Sequence, residues 1–358
     1  MESVCHVSLE SILKNFQFFQ TRIKSRQIIP VVKADAYGHG ALRVSQYLYE
    51  RAGVTLFAVA TLEEAQELAR EMPEISILIF SRVFASELAN LPKNSILSIG
   101  SLEDAQDLSA SGHLHIKVHL NINTGMNRLG LSPEQALALI AETDRALDIQ
   151  GVYSHYSSSD TNDDGQFKHQ KALFKKFISD AQELGFKGMM HLSNSAGALH
   201  EDLDDHDLLR LGIGLYGYDT SPQAAFQADL VPAMEVKAPL IRVERIRAGE
   251  SVSYSEKWIA AVDTNIGTLR VGYADGYFRA LTNRAFVSYE HKTYPVVGTV
   301  TMDHIMIDLG TENPPTGAYY TVLGGGSDPV KISSVARRLN TIPYEVCCAI
   351  SPRIRRQY

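Results

Sequence analysis

Residues 29–40 read IPVVKADAYGHG, an apolar, β-branched run that ends on Lys33 and passes directly into a Tyr37-Gly38-His39-Gly40 turn. A lysine at a strand tip is usually a cation whose stem lies on apolar surface while its head stays in water. Desolvated, the same side chain loses its proton and becomes a nucleophile toward carbonyl carbon. Other reactive residue types close later apolar runs. They are Asn121–Gly130 (NINTGMNRLG, with Arg128), Ser154-His155-Tyr156, Ser193-Asn194-Ser195-Ala196-Gly197 and Arg210-Leu211-Gly212-Ile213-Gly214. Taken singly, an arginine is most often a solvated charge and a serine before a helix most often a cap. His113, His115 and His119 share the odd positions of HLHIKVHLN, and on a strand they would share one face, which suits metal ligands. His113 and His115 fall early in that run, however, and no Asp, Glu or Cys cluster completes a site. No metal is expected.

Periodicity indicates the elements that would bring these residues together. Apolar runs at residues 29–33, 56–60, 75–80, 96–100, 114–121, 151–155, 189–192 and 208–215 read as strands. Helical patterns lie between them and carry start signals. Thr61-x-x-Glu64 spells a capping box, Ser101-x-x-Asp104 places an acid in a first turn, and Ser132-Pro133-Glu134-Gln135 puts proline at the first helical position. Eight strands alternating with helices predict an α/β fold, a (β/α)8 TIM-like barrel over residues 1–224, with its active site at the C-terminal strand ends. From about Ala225 the texture changes. Residues 238–246, 267–271, 285–289, 294–300 and 319–323 are short and rich in Val, Ile, Thr and Tyr, and no long helical pattern returns until 330–339. Residues 225–358 are expected to form a mainly β C-terminal domain, on which the first few residues of the chain can also pack. Gly324-Gly325-Gly326-Ser327 reads as a strand-to-helix turn rather than a phosphate loop, and Glu201–Asp207 as a solvated acidic loop.

Placed around one barrel mouth, Lys33 faces Ser195 and the amides of Gly212 and Ile213, a set that suits a phosphate. A lysine nucleophile opposite a phosphate cradle suggests pyridoxal 5'-phosphate (PLP) held as a Schiff base. At 358 residues, 45% hydrophobic and 21% charged, the chain has the composition of a globular protein with a large core. A net charge of −7 gives no electrostatic support to a nucleic-acid partner. No apolar run reaches the ~18 residues that span a bilayer, and the N-terminus carries no secretory pattern. Three cysteines suit a reducing cytoplasm. Cys347 and Cys348 are adjacent and on a strand would point to opposite faces, so a structural role is expected.

VVKADAYGHG resembles the PLP-lysine signature of the alanine racemases. NTGMNRLG, SHYSSSD, HLSNSAG, RLGIGLYG, PAMEVKA, VSYSEKW, VGYADGY, VGTVTMD and NTIPYEV follow in that family's order and rough spacing. The resemblance implies a cytoplasmic, homodimeric racemase that interconverts L- and D-alanine and supplies D-alanine for peptidoglycan precursors. It implies Lys33 as the Schiff-base lysine and the base on one face of the substrate Cα, and Tyr254 as the group on the other face. Racemisation needs both, because one group removes the α-proton and an opposite group returns one. A tyrosine with a pKa near 10 serves only if its phenolate is stabilised, a task the resemblance gives to His155 and Arg210. Arg210 also matches the arginine facing the pyridine nitrogen. An arginine keeps its proton, so that nitrogen stays unprotonated and the ring is a weaker electron sink, which disfavours decarboxylation and transamination. Tyr37, Asn194, Ser195, Gly212 and Ile213 are implied around the cofactor, and Arg128 near its phenolic oxygen. Arg128, Met302, Tyr273 and Asp303 are implied at the substrate end, although Asp303 could equally cap a turn. Tyr254, Tyr273 and Met302 lie in the β domain, which in the family reaches the partner's barrel, so a shared site is implied.

Three positions depart from the family pattern. Asn121 stands where many members carry a carbamylated lysine that holds the arginine matched by Arg128. A partly buried Arg128 is therefore expected to take a small anion such as chloride beside Asn121. Thr301 replaces the common cysteine of the CMD motif. Pro352 stands where some members place a pocket-lining tyrosine, which leaves open a broader specificity that includes serine. The rival readings are a PLP amino-acid decarboxylase, which would want an acid in place of Arg210, a non-catalytic PLP-binding barrel, which would lack Tyr254, and a metal-dependent hydrolase.

Overall fold

The alternation of apolar runs with capped helices closes into a barrel. The computed structural model describes residues 1–23, 27–142, 145–161, 164–200, 208–221, 225–227, 229–326 and 328–358. A short strand β1 (Val4–Val7) precedes the barrel strands. These are β2 (Gln27–Pro30), β3 (Leu56–Val59), β4 (Ser76–Ile79), β5 (Ser95–Ile99), β6 (Ile116–Asn121), β7 (Leu147–Tyr153), β8 (Met189–His191) and β9 (Leu208–Leu211). They form a parallel sheet in the order β2-β9-β8-β7-β6-β5-β4-β3. A Val31↔Ala58 bridge, with the Val32 N–H donating to the Ala58 carbonyl at 2.8 Å, joins the two ends of that order. Strands covered on both faces read as unbroken apolar runs, and β3 and β5 are buried at every position.

All three helix starts form as the sequence spells them. Thr61 and Glu64 close a reciprocal capping box, Ser101 accepts from the Asp104 N–H, and Ser132 with Gln135 closes a second box behind Pro133. These caps fix where each helix begins and hence where each strand-end loop must turn.

The chain divides into two compact units. One comprises Glu10–Ala36 and Ala41–Val231, the other Met1–Leu9, Tyr37–Gly40 and Pro232–Tyr358. The second unit holds β1 together with β10 (Met234–Ile246), β11 (Thr264–Leu269), β12 (Phe286–Tyr289), β13 (Lys292–Val297), β14 (Ile305–Gly310), β15 (Tyr319–Gly324) and β16 (Arg355–Gln357). Their order is β11-β14-β13-β12-β15-β10-β1-β16, and β11 also pairs with β10, so six strands close on themselves. Closure leaves those six without free edges, and β1 and β16 extend the sheet from β10.

Several expectations need correction. β1, β14 and β16 were not legible as strands. In β14, IMIDLG, Met306 puts an apolar residue on the outward face and blurs the alternation; β16, RRQ, has no apolar residue and pairs through its backbone alone. The run at 114–121 starts only at Ile116, because His115 sits at φ 58. Cys347 and Cys348 lie on a helix, Pro343–Cys348, with Cys347 buried and Cys348 exposed. Gly324 and Gly325, at φ 83 and 72, form the turn that leaves β15; Ser327 and Glu201–Asp207 lie outside the described residues. Among the described residues no helix is long and apolar enough to cross a membrane.

Candidate active site

Lys33 opens a single helical turn, Lys33–Gly38, whose next four residues Ala34, Asp35, Ala36 and Tyr37 have φ between 51 and 54. The turn is left-handed. That hand costs roughly 1–2 kcal/mol per L-residue, so its surroundings must impose it. In the barrel unit the Tyr216 hydroxyl donates to the Val31 carbonyl at 2.9 Å, and the Ala34 N–H donates to Glu64 Oε1 at 2.7 Å. The other oxygen of Glu64 takes the Ala60 N–H at 2.7 Å, so one carboxylate serves both a helix start and the lysine turn. In the second unit Arg356 donates to the Gly38 carbonyl at 3.0 Å and to the carbonyls of Ile350, Ser351 and Ile354. There the buried Tyr37 ring lies 5.8 Å from the Tyr344 ring. Lys33 itself is half-buried, with Nζ 6.0 Å from the centre of the Phe80 ring.

Arg210, on β9, is 2% exposed. Its Nη1 donates to the His191 carbonyl at 3.1 Å and to His191 Nδ1 at 2.8 Å. Its Nη2 donates to the carbonyls of Ser154 and Leu192 at 2.6 and 3.0 Å and to His155 Nδ1 at 3.0 Å. A guanidinium has no acceptor, so both imidazoles must offer a bare Nδ1 and, when neutral, carry their proton on Nε2. His191 Nε2 then donates to His119 Nδ1 at 2.9 Å, and His119 in turn keeps its proton on a buried Nε2 that has no partner among the described residues. The chain Arg210, His191, His119 thus has one polarity from end to end. Tyr153 stacks on His191 at 4.9 Å and passes its hydroxyl to Ser98.

Burial, followed by the positive charges of Arg210, Arg128 and Lys33, pushes the His155 pKa down to about 3. Burial and Arg210 push His119 down to about 4. Burial also lowers Arg210, to about 10, which leaves it charged at neutral pH. His155 is therefore held neutral, with its Nδ1 on Arg210 and its Nε2–H free to donate. Neither the ion pairs nor the hydrogen bonds of Arg210 include a carboxylate among the described residues, and its Nε–H is uncommitted there.

Ser195 Oγ accepts from the Gly212 N–H at 3.0 Å and the Gly214 N–H at 3.1 Å, which leaves its own proton to donate. The Gly212 amide is thus already engaged. Ile213 begins the one-turn 3₁₀ helix Ile213–Tyr216, where an N–H has no acceptor within the helix. Gly214 has to be glycine here, since a Cβ would stand 2.7 Å from the Phe19 ring. Asn194 spends its side chain on the loops, accepting from Ser159 Oγ and the Gly197 N–H at 3.0 and 2.9 Å and donating to the Tyr156 carbonyl at 3.4 Å. Arg128 lies on a loop braced by Asn123 and Asn127, and it is exposed rather than partly buried. In the single chain its guanidinium is reached by solvent.

Taken together, the barrel unit supplies an amine at a strand end, a hydroxyl donor at a helical turn and an uncommitted Nε–H on a buried arginine. That donor set suits an aldehyde carbon, a phosphate and an aromatic nitrogen acceptor, the three polar handles of PLP. His191 and Tyr153 were missed in the sequence. His191 is one polar residue within a three-residue strand and gives no spacing signal. His119 was singled out, but as a metal-ligand candidate; among the described residues no group of three His, Cys, Asp or Glu could hold a metal.

The second unit carries the remaining candidates. Tyr254 is 69% exposed at the tip of a short hairpin. Tyr273 and Met302 belong to one plate, because the N–H groups of Tyr273 and Ala274 donate to the carbonyls of Thr301 and Met302 at 3.0 and 3.1 Å. Gly272 lets the two segments meet, since a Cβ there would stand 2.2 Å from the Met302 oxygen. Asp303 does not cap that turn with its side chain. It takes Arg353 Nη2 at 2.8 Å, while Arg353 Nε lies 3.4 Å from Asp275.

Two family models match the chain, the alanine racemase N-terminal domain over residues 7–220 and the alanine racemase C-terminal domain over residues 233–358. The alanine racemase of Cutibacterium acnes is 33% identical over 98% of this chain and 96% of its own length. Alanine racemase 1 of Bacillus subtilis is 34% identical over 98% of this chain and 92% of its own. Among solved structures, alanine racemase from E. faecalis superposes with a TM-score of 0.89 at 31% identity, over 100% of this chain and 98% of that one. The Bartonella henselae enzyme, solved with covalently bound pyridoxal phosphate, gives 0.89 at 26% identity, over 100% and 99%.

Proposed function

The chain belongs to the alanine racemase family, and from that premise we propose how its own residues carry out the interconversion of L- and D-alanine. PLP, when bound, acidifies the α C–H of the amino acid joined to it. Lys33 holds the cofactor and moves the proton on one face of the substrate Cα. Tyr254 of the partner subunit moves it on the opposite face, in a homodimer that shares its two sites. Ser195 and the Ile213 amide hold the phosphate, and Tyr37 is a further phosphate-binding group. Arg128, Tyr273, Met302 and Asp303 orient the substrate.

The observation that carries this reading is the setting of Arg210. Its Nη groups are committed to five neutral acceptors and none is a carboxylate. Arg210 thereby keeps a full positive charge and would offer its Nε–H to the pyridine nitrogen, where a decarboxylase would place an acid, and that nitrogen would take no proton from it. His155, fixed by Arg210 with its proton on Nε2, donates toward the Tyr254 phenol and stabilises the phenolate. Reaction in the cytoplasm and supply of D-alanine to peptidoglycan belong to the same reading.

The test is direct. Purified protein incubated with PLP and L-alanine should form D-alanine, resolved on a chiral column, and borohydride reduction should place the pyridoxyl label on Lys33. Label on another lysine overturns the assignment. L-serine belongs in the same assay, because Pro352 is exposed and immediately precedes Arg353, which is tied to Asp303. With no aromatic ring at that position, a side chain one hydroxyl larger than alanine's is admitted.

A further inference from the structure

The hairpin bearing Tyr254 is closed by a Ser251↔Ile259 bridge and by hydrogen bonds from the Val252 N–H to the Trp258 carbonyl at 3.0 Å and from the Ala260 N–H to the Glu250 carbonyl at 2.9 Å. Its base packs Val252 and Trp258 into a cluster with Ile266 and Val297. At its tip Ser253 has φ 67 and ψ −168, Ser255 φ 62 and Glu256 φ 47. The first of these is glycine territory, and each costs about 1–3 kcal/mol in a residue with a Cβ. Such a tip persists only if its surroundings dictate it.

The dictating contacts come from the neighbouring segment 298–300 and from Asn283. Ser253 Oγ donates to the Thr299 carbonyl at 2.7 Å, and Thr299 Oγ1 donates to the Tyr254 carbonyl at 2.8 Å, so the two backbones clasp each other. Asn283 Nδ2 donates to the Lys257 carbonyl at 2.9 Å and its Oδ1 accepts from the Gly298 N–H at 2.7 Å. Gly298 permits the approach, since a Cβ there would stand 2.5 Å from the Val252 oxygen. Thr299 is 2% exposed, so water does not stand in for its hydroxyl. The Tyr254 backbone is thus fixed while its side chain projects outward.

We infer that Thr299 is a positioning residue for Tyr254, an inference that rests on the assignment of Tyr254 as a proton-transfer group. A group that exchanges a proton with carbon works only in near-attack geometry, and a displacement of about 1 Å costs on the order of a hundredfold. Thr299→Val keeps the shape and removes the donor; Thr299→Ser keeps the donor. Thr299→Val should load PLP as the wild type does, show faster amide hydrogen exchange in the 252–258 peptide, and lose roughly tenfold or more in kcat. Its primary isotope effect with α-deuterated alanine should change for one enantiomer only, the one that Tyr254→Phe also affects. Thr299→Ser should restore all three readouts. If Thr299→Val does not fold, Ser253→Ala opens the other half of the clasp and carries the same expectations. Wild-type exchange and kcat in Thr299→Val, or equal changes for both enantiomers, overturn the inference. An impaired Tyr254→Phe beside a silent Thr299→Val overturns it alone, whereas a fully active Tyr254→Phe overturns the assignment beneath it as well.

Discussion

A single buried guanidinium sets the protonation of three imidazoles. His155 and His191 accept from Arg210 directly, and His119 is oriented through His191. Long-range nitrogen NMR of the imidazoles should therefore find all three neutral, as the Nε2–H tautomer, at pH 7. The same arrangement gives a pH dependence with a defined sign. His155 and His119 titrate near 3 and near 4 when folded, against about 6.5 when unfolded. Between those values the unfolded chain binds more protons, so the stability they contribute is whole above about pH 6.5 and is lost as pH falls toward 4 and then 3. His119→Asn keeps an acceptor near the Nδ1 position but cannot titrate. It should flatten the fall of Tm between pH 6.5 and 4, and an unchanged slope would show that buried neutral histidines are not its cause. Lys33 and His155 were legible in the sequence because each ends an apolar run, Ser195 because it lies just beyond one, and Arg210 because it interrupts the last. His191 was not, because its importance lies in which ring nitrogen faces an arginine 19 positions away.

At the scale of the element, the lysine turn depends on a helix cap. Glu64 accepts the Ala60 and Thr61 N–H groups as a capping residue and the Ala34 N–H as an anchor for the left-handed turn. Removing it should therefore do two separable things. Thr61→Ala should lower stability by about 1 kcal/mol through the cap alone and leave PLP affinity unchanged. Glu64→Ala should lower stability similarly and also weaken PLP binding on the order of tenfold, since an anchor worth roughly 1.5 kcal/mol or more is lost. Thermal unfolding and a PLP titration read the two effects, and equal PLP affinity in both variants removes the anchoring role. The capping box itself was spelled in the sequence. Its second duty was not, because Ala34 lies 30 positions away, and Ala-Asp-Ala-Tyr contains nothing that announces a left-handed backbone. Barrel strands such as β3 and β4 were legible for the opposite reason, as each is a nearly unbroken apolar run buried at almost every position.

For the whole molecule, the proposed division of labour between subunits predicts complementation. Lys33→Ala and Tyr254→Phe chains should each be nearly inactive, and mixing them under conditions of subunit exchange should recover activity. One site in each mixed dimer then holds both groups. No recovery despite demonstrated exchange places both groups on one chain. The second unit was less legible than the barrel, since a strand such as β16, Arg355–Gln357, is polar throughout and leaves no apolar alternation to read.

β1 joins the two ends of the chain. It pairs antiparallel with β10, Val4 opposite Lys237, and parallel with β16, Val4 opposite Arg355. During synthesis, residues 4–7 emerge well before the segment around residue 234 that gives them a partner. At about 5–20 residues per second that interval is on the order of ten seconds or more. The barrel can be complete on the ribosome while this strand still presents an open hydrogen-bonding edge, an exposure that invites pairing with a neighbouring nascent chain. β1 is four residues long, carries His6 and ends beside Glu2 and Ser3, and brevity with flanking polar residues is a common protection for such an edge. The pairing of β1 with β10 and β16 is therefore a late event in the assembly of this sheet, set by the distance in sequence between the strands.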